Sequence, residues 1–392
     1  MRTWTFQSAG SLIFGRNSID QLPDSALGLG AKRIFIVTDA ILVKAGVVEK
    51  VSSKLTAAGI ALEYFHVDKP EPSIEIIRNA TAKAKAISPD AVLGLGGGSN
   101  MDCAKLVAIV LAHGKDATDY TGDCRVPGPV TPLICVPTTA GTGSEVSAAA
   151  VFTDTEKQIK VSCLSPFLRP DVAVVDSLLT VSCPPKVTAD SGIDALTHAI
   201  EAFTACDNDS FPLPSGERSV YQGKNPMADA MAEKAIGLVG KFLKRAVKDG
   251  NDLEARDGMA LAATLGGLAF SNAGVALVHA MEYPVGGAVH VSHGAGNGLL
   301  LPFVMAFNQP AAKANLAKLP ALLGNPSGDA IDLVTKLREE IGIPLRLRDL
   351  GVKEEMLPGF AAKAFAIKRL MRVNPRMPQN EGEILEIYKA AY

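Results

Sequence analysis

The chain lacks the features that mark exported, membrane or nucleic-acid-binding proteins. Its longest apolar runs, at 106–112 and 298–307, are far shorter than the roughly 20 residues of a membrane-spanning helix. Its start has no hydrophobic stretch behind basic residues, so we expect no export signal and no membrane partner. The net charge is −2, without the basic patch that nucleic acid requires. The six cysteines show no C-x-x-C pairing, which favours reduced thiols in a cytoplasmic protein.

The pattern of the 392 residues changes once along the chain, which predicts two domains. Over 1–183, short β-branched runs alternate with helical stretches, as in an α/β domain with a parallel sheet. The predicted strands are 33–39, 61–67, 90–98 with its turn, 132–139 and 172–179. The predicted helices between them are 48–59, 73–88 and 101–114.

Over 184–392, strand-like runs disappear and Ala-rich segments predict an all-helical domain. The predicted helices are 230–249, 252–270, 310–324 and 329–342. A Pro-, Gly- and Ser-rich loop at 205–226 interrupts them.

A glycine-rich loop, GLGGGSNMDCAK at 94–105, follows a predicted strand and opens a predicted helix. In this arrangement backbone N–H groups and the helix dipole can hold a phosphate. Gly97 and Gly98 would let a pyrophosphate approach the backbone, and Ser99 can cap the helix or bond a phosphate oxygen. The loop matches neither the Rossmann nor the Walker pattern, and a tight turn with a packing role is the alternative.

A second loop, VPTTAGTGSEVS at 136–147, also leaves a predicted strand. Packing alone explains two such loops beside one sheet less easily than it explains one. Asp39 ends the predicted strand 33–39, where a carboxylate can accept both ribose hydroxyls of NAD and repel the 2′-phosphate of NADP. These features favour NAD as the dinucleotide, and capping of the next helix is the alternative role of Asp39.

Two clusters in the second half carry metal-ligand chemistry. Asp194 and His198 are four residues apart and would share one helix face. His279 and His293 add two imidazoles, and one carboxylate with three His suits Fe(II) or Zn(II) rather than Mg or Ca. By itself an Asp-x-x-x-His pair is more often a surface pair than a pair of metal ligands. By spacing alone, His290, three residues before His293, is an equally good candidate ligand. The glycine loop is what favours the metal interpretation.

Together these motifs resemble the iron-dependent alcohol dehydrogenases over nearly the whole chain. The shared pieces are GGGSNMDCAK, PTTAGTGSEVS, DSGIDALTHAIEAF, HAMEYPVGG, HVSHGAGNGLLLP and the NPR at 374–376. The resemblance implies a dehydroquinate synthase-like fold, with a cleft between the two domains, and a homodimer. It implies that Fe(2+), or Zn(2+), is held by Asp194, His198, His279 and His293. The dinucleotide contacts that it implies are Asp39, Gly97, Gly98, Ser99, Asp102, Thr138, Thr139 and Lys160.

The implied reaction is hydride transfer between NAD and a primary alcohol or hydroxyacid, with a metal that lowers the pKa of the substrate hydroxyl. One position departs from many members of the family, which carry His where Tyr283 stands here. This Tyr and the segment YQGKNPMADA resemble the hydroxyacid–oxoacid transhydrogenases, which keep their nicotinamide bound and pass hydride from 4-hydroxybutyrate to 2-oxoglutarate. Because a phenol is a weak base, we expect Tyr283 to orient the substrate or relay a proton.

Two further alternatives are open. A lyase related to 3-dehydroquinate synthase would share the architecture, NAD and a divalent metal, but it needs a Lys and Arg cluster that the sequence does not show near Asp194 or His293. A non-catalytic nucleotide-binding protein would keep the fold, although all four candidate ligands are intact. The sequence therefore predicts an alcohol dehydrogenase acting on a small alcohol, aldehyde or hydroxyacid. It leaves open the substrate, the choice between dehydrogenase and transhydrogenase, and the choice of Fe or Zn.

Overall fold

The computed structural model describes residues 3–68, 72–156 and 159–392. The strands found in these ranges all lie in the first half. They are β1 (Ser11–Phe14), β2 (Arg33–Asp39), β3 (Ala61–Val67), β4 (Ala91–Gly96), β5 (Gly122–Asp123), β6 (Leu133–Pro137), β7 (Ala149–Asp154), β8 (Ile159–Leu164) and β9 (Val172–Val175). The helices of this half are α1 (Leu22–Gly28), α2 (Ala40–Lys44), α3 (Val47–Ala57), α4 (Ile74–Ile87) and α5 (Gly98–His113).

Six strands form a parallel sheet in the order β1-β9-β6-β4-β2-β3. Its central strands are continuous apolar runs because both faces are covered. Along β2, Phe35 and Val37 pack on one face, and Ile34 and Ile36 pack on the other. This arrangement confirms the predicted α/β fold with a parallel sheet.

The strand order reverses at β2, which pairs with β3 on one side and with β4 on the other. In open parallel sheets, ligands bind outside the carboxyl ends of the strands at such a reversal. Asp39 ends β2, the glycine loop follows β4, and the loop at 136–147 follows β6. The topology therefore brings the predicted nucleotide-binding segments to one edge of the sheet.

Three strands form a smaller sheet in the order β5-β8-β7, with β7 and β8 antiparallel. The sequence patterns did not predict it. The prediction for 172–179 is wrong beyond Val175, where Asp176 accepts a hydrogen bond from Leu178 N and a 3-10 turn follows at Ser177–Thr180. Helix α5 begins three residues before the predicted start at residue 101, so Gly98 and Ser99 lie in its first turn.

The regular secondary structure of the second half is helical, as predicted, apart from one isolated β-bridge between Asp207 and Lys224. Its helices are α6 (Pro185–Thr204), α7 (Pro226–Lys248), α8 (Leu253–Ala273), α9 (Leu277–Val289), α10 (His293–Leu316), α11 (Leu319–Leu322), α12 (Ala330–Glu340), α13 (Leu357–Ala366), α14 (Lys368–Val373) and α15 (Glu381–Ala391). The prediction of one helix over 310–324 is wrong: α10 continues past Pro310, is kinked at Ala312 and is followed by α11. Proline, which lacks an N–H, accounts for the kink.

This architecture does not test the domain boundary at 183/184 or the independence of the two domains, and both stay predictions.

In the described part of the chain, no single helix is long and apolar enough to span a membrane; α8 and α9, bent by 106°, reach that length and hydropathy as a pair. The residues of both helices are mostly buried.

Candidate metal centre and nucleotide cleft

Three of the four predicted metal ligands offer ligand atoms within 4.8 Å of one another: Asp194, His198 and His279. The fourth, His293, lies beside them, with its ring centroid 5.2 Å from that of His279. The amide Nδ2 of Asn297 lies 2.8 Å from Asp194 Oδ1, 3.2 Å from His279 Nε2 and 3.1 Å from His293 Nε2. The atoms of all four residues therefore converge on one region.

Close packing of α10 on α6 places His293 beside Asp194. At Gly294, a Cβ would lie 2.0 Å from the carbonyl oxygen of Asp190, and at Gly298 a Cβ would lie 2.7 Å from the side chain of Ile193. Only glycine permits so close an approach. Ser292, the N-cap of α10, donates a hydrogen bond to Asp190 Oδ2 at 2.5 Å and fixes this end of the helix to α6.

Glu201 positions His279. Its carboxylate is buried, accepts hydrogen bonds from the N–H groups of Ala276 and Val278 at the start of α9, and accepts one from His279 Nδ1 at 2.5 Å. The helix dipole and these donors stabilise the negative charge. Because Nδ1 carries the proton, Nε2 of His279 has a lone pair for a metal.

Glu282 has the same relation to His293. It is fully buried, and its Oε2 accepts a hydrogen bond from His293 Nδ1 at 2.5 Å. Its Oε1 lies 3.6 Å from Nζ of Lys160. Burial acts to raise the pKa of Glu282, but the charges of His293 and Lys160 outweigh burial and hold that pKa below its usual value.

The donor set fits a divalent transition metal. Burial lowers the pKa of His198 to about 4, so its imidazole is neutral, as a metal ligand must be, and its buried Nδ1 has no hydrogen-bond partner in the described structure. When the three imidazoles are neutral metal ligands, the three buried carboxylates of Asp194, Glu201 and Glu282 have one buried ammonium close by, that of Lys160 beside Glu282. A divalent cation would balance the remaining negative charge, and the histidine and carboxylate donors suit Fe(II) or Zn(II).

On the nucleotide side, the glycine loop and the loop at 136–147 touch each other. A Cβ at Gly98 would lie 2.9 Å from the side chain of Thr142, and one at Gly97 would lie 3.5 Å from Thr139 Oγ1. Thr138 N donates to the carbonyl of Gly96 at 3.0 Å. The N-terminus of α5 therefore lies beside the loop at 136–147, where its backbone N–H groups can bind an anion.

Asp39 caps α2, the alternative role that its position in the sequence allows. Its Oδ1 accepts hydrogen bonds from Ile41 N and Leu42 N, each at 2.9 Å. Its Oδ2 accepts one from Asn100 Nδ2 at 2.8 Å, which connects it to the glycine loop. A contact between Asp39 and a ribose stays a prediction, which its place at the carboxyl end of β2 favours.

A cleft extends from the glycine loop to the candidate metal ligands. Gly98, Ser99, Asp102 and Lys160, all predicted dinucleotide contacts, lie in its wall. Both carboxylate oxygens of Asp102 accept hydrogen bonds within the protein, from Ser144 Oγ at 2.7 Å and from Val151 N at 2.9 Å. Asp102 therefore shapes the cleft by fixing its wall.

Tyr283 also lines the cleft, with its ring centroid 6.1 Å from that of His293. Burial raises the pKa of its phenol, which makes the neutral hydroxyl more stable. This environment suits a residue that orients a substrate.

Sequence reasoning missed Glu201, Glu282 and Asn297. The signal for both glutamates is a repeated H-A-x-E pattern, in 198–201 and 279–282. Residues three apart share a helix face, so each Glu follows a ligand on the same side of its helix. The pattern does not reveal the pairing, because each Glu bonds the next candidate metal ligand along the chain, and for Glu282 that is His293 rather than the nearer His290.

Known proteins are similar to this chain in sequence and fold over nearly its whole length. A model described as iron-containing alcohol dehydrogenase matches residues 9–177, and one described as Fe-containing alcohol dehydrogenase family, C-terminal, matches 217–392. The long-chain-alcohol dehydrogenase 1 of Geobacillus thermodenitrificans (strain NG80-2) is 38% identical, covering 96% of this chain and 94% of that protein. The NAD-dependent methanol dehydrogenase of Bacillus methanolicus is 35% identical and covers 97% of each chain.

Among solved structures, a 1,3-propanediol oxidoreductase superposes with a TM-score of 0.92 at 36% identity, covering 100% of both chains. Since the family models match most of the sequence and this fold agrees from end to end, the chain belongs to the iron-containing alcohol dehydrogenase family, as its motifs predict.

Proposed function

We propose that this protein is an NAD-dependent alcohol dehydrogenase that oxidises uncharged primary alcohols, or reduces the aldehydes, at a divalent iron centre. The observation that carries the proposal is the convergence of Asp194, His198, His279 and His293 at the end of a cleft that begins at the glycine loop. The name of the methanol dehydrogenase relative supports NAD as the cofactor.

In this proposal the four ligands hold the cation, while Glu201 and Glu282 orient the imidazoles of His279 and His293. When bound, the metal supplies Lewis-acid activation of the substrate hydroxyl and the dinucleotide supplies the hydride acceptor. The N-terminus of α5 binds the pyrophosphate through its backbone N–H groups, and Lys160 faces the nicotinamide ribose. Tyr283 orients the substrate hydroxyl beside His293.

The lining of the cleft favours an uncharged substrate. The cleft lining includes the apolar or aromatic side chains of Val151, Phe152, Tyr221, Phe270, Val275 and Tyr283. The ring centroid of Phe270 lies 4.4 Å from that of His198, and the ring centroid of Tyr283 lies 6.1 Å from that of His293. Lys160 is the one Lys or Arg among the described lining residues, and its charge faces Glu282. A hydroxyacid carboxylate or a phosphorylated substrate needs a cation of its own, so this lining disfavours both the transhydrogenase and the lyase alternatives.

The test is a substrate screen with anaerobically purified, Fe(II)-loaded protein. We expect NADH to form from straight-chain primary alcohols and NAD, and little to form from 4-hydroxybutyrate. Reduction of 2-oxoglutarate by 4-hydroxybutyrate without added nicotinamide would instead establish the transhydrogenase. Release of phosphate from a phosphorylated sugar acid would establish the lyase.

His279→Ala should lose bound metal and turnover together, because it removes one ligand of the set. His290→Asn is the matched control: His290 is exposed at the other end of α9 in the left-handed conformation, φ 54°, which Asn tolerates. Metal content measured by mass spectrometry should fall only in His279→Ala. Turnover retained by His279→Ala would refute the assigned centre.

A homodimer is part of the proposal. β1 is an edge strand of the large sheet, and its Leu12 and Phe14 are 37% and 38% exposed. An edge strand with apolar side chains is a surface that a second copy can cover. Light scattering measures the mass in solution, and fractionation of the source cells tests the cytoplasmic location.

A further inference from the structure

Glu282 connects the two sites on which the proposed function rests. Its two carboxylate oxygens face different partners: Oε2 accepts from His293 at 2.5 Å, and Oε1 lies 3.6 Å from Lys160 Nζ. Lys160 belongs to β8 in the first half, whereas Glu282 and His293 belong to α9 and α10 in the second. The contacts of Glu282 with Lys160 and with His293 therefore connect the wall of the nucleotide cleft to the candidate metal ligands.

The packing holds Glu282 in this position. A Cβ at Gly286 would lie 2.3 Å from Glu282 Oε1 and 2.8 Å from Lys160 Nζ, and a Cβ at Gly296 would lie 2.8 Å from Glu282 Cγ. Two glycines thus make room for one buried carboxylate. Because a fully buried carboxylate is costly unless it is paired, its stabilisation is divided between the lysine and the histidine.

We propose that Glu282 is a positioning residue that makes dinucleotide binding and metal binding strengthen each other. A ribose hydroxyl that accepts a hydrogen bond from Lys160 draws the ammonium toward the cleft. More of the negative charge of Glu282 then acts on His293, whose ring becomes more positive when Nε2 donates its lone pair to a cation. By linkage, the metal tightens dinucleotide binding by the same factor as the dinucleotide tightens metal binding.

The experiment measures the Kd of Co(II) by competition with a chromogenic chelator, with and without saturating NAD. We expect NAD to lower the metal Kd about fivefold or more in the wild type, the lower end of typical couplings between sites. ADP, which lacks the nicotinamide ribose, should leave the metal Kd unchanged.

Glu282→Gln keeps the shape and one oxygen acceptor but removes the charge. It should weaken Co(II) binding roughly 10- to 100-fold, as loss of such a partner does, and remove the effect of NAD on the metal Kd. Glu201→Gln is the matched control, since Glu201 bonds His279, Ala276 N and Val278 N. It should weaken Co(II) binding at least as much, because an amide NH2 replaces an oxygen that accepts a hydrogen bond, and leave the effect of NAD intact.

Lys160→Met should also remove the effect of NAD on the metal Kd.

A wild-type metal Kd that NAD does not change would overturn the inference, and so would an NAD effect that survives in Glu282→Gln. The inference rests on the proposed function, but the two fail differently: NADH production from alcohols without coupling leaves the proposed function standing, whereas a protein that binds no NAD overturns both.

Discussion

Glycine at position 294 sets how closely α10 approaches α6. It lies next to His293 in the first turn of α10, and any side chain there would meet the Asp190 carbonyl. The metal centre needs this approach because Asp194 and His293 lie on opposite sides of that contact. The lack of a side chain at this one glycine thereby allows two of the four candidate ligands to lie side by side.

We expect Gly294→Ala to destabilise the protein by about 1–3 kcal/mol through overpacking and to weaken metal binding, because α10 must move away from α6. Chemical denaturation and a chelator competition assay measure the two effects. Gly287→Ala is the control: Gly287 is an exposed residue of α9 whose Cβ would meet nothing within 4 Å. That change should stabilise the protein by roughly 0.5–1 kcal/mol, and equal losses in both variants would contradict the argument.

Spacing alone predicts the candidate ligands less securely than their positions in the fold do. His290 and His293 are three residues apart, yet His290 ends α9 on the exposed surface while His293 begins α10 beside Asp194. The two histidines lie in different surroundings because α9 ends and α10 begins between them, and no residue pattern clearly predicts this break. The pairing of Glu201 with His279 and of Glu282 with His293 cannot be predicted from the sequence for the same reason, since it depends on how three helices pack.

Helix α5 is fixed to the loop at 136–147 and the start of β7 by one buried lysine. Lys105 is 0% exposed, and its Nζ donates to the carbonyls of Ser144, Ser147 and Ala149 at 2.7, 3.0 and 2.8 Å. Burial lowers the pKa of this ammonium. Ser144, Ser147 and Ala149 line the cleft, so Lys105 fixes the cleft wall from behind.

Lys105→Met should cost about 3 kcal/mol of unfolding free energy, because buried carbonyls that lose their donor cost roughly 1–3 kcal/mol each and part of that loss relaxes. NAD affinity should fall as well, since the loop beside the glycine loop loses its anchor. Urea unfolding and NAD titration provide the measurements. Lys85→Met, at an exposed site on α4, should change neither quantity, and a Lys105→Met protein with wild-type NAD affinity would contradict this role.

The strands of the large sheet were predictable where local pattern decides them. β2 and β3 have the predicted bounds because their apolar runs end at clear boundaries. The small sheet was missed because β5 has two residues and β7 mixes Thr and Asp with apolar residues. β1 was missed because it has four residues and pairs with β9, far along the chain.

The two halves meet at the cleft, as the family resemblance predicts. The pattern of strands and helices gives the class of each half, but it does not place α6, α9 and α10 around one point. That placement depends on the glycines of α10 and on the carboxylates that fix α9, which are properties of packing. The predicted fold and family are confirmed, whereas the roles of individual site residues stay predictions.

A cation at this centre should stabilise the whole molecule, because its ligands come from α6, α9 and α10 and its charge offsets the buried carboxylates of Asp194, Glu201 and Glu282. Binding to the folded state alone contributes about 2.7 kcal/mol at a metal concentration of 100 times Kd. Co(II) or Zn(II) should therefore raise the Tm of chelator-treated protein, measured by calorimetry. Mg(II) should not, because imidazole donors do not suit it. His198→Ala should remove the increase, and an equal increase with Mg(II), or one that persists in His198→Ala, would show that the stabilising cation binds elsewhere.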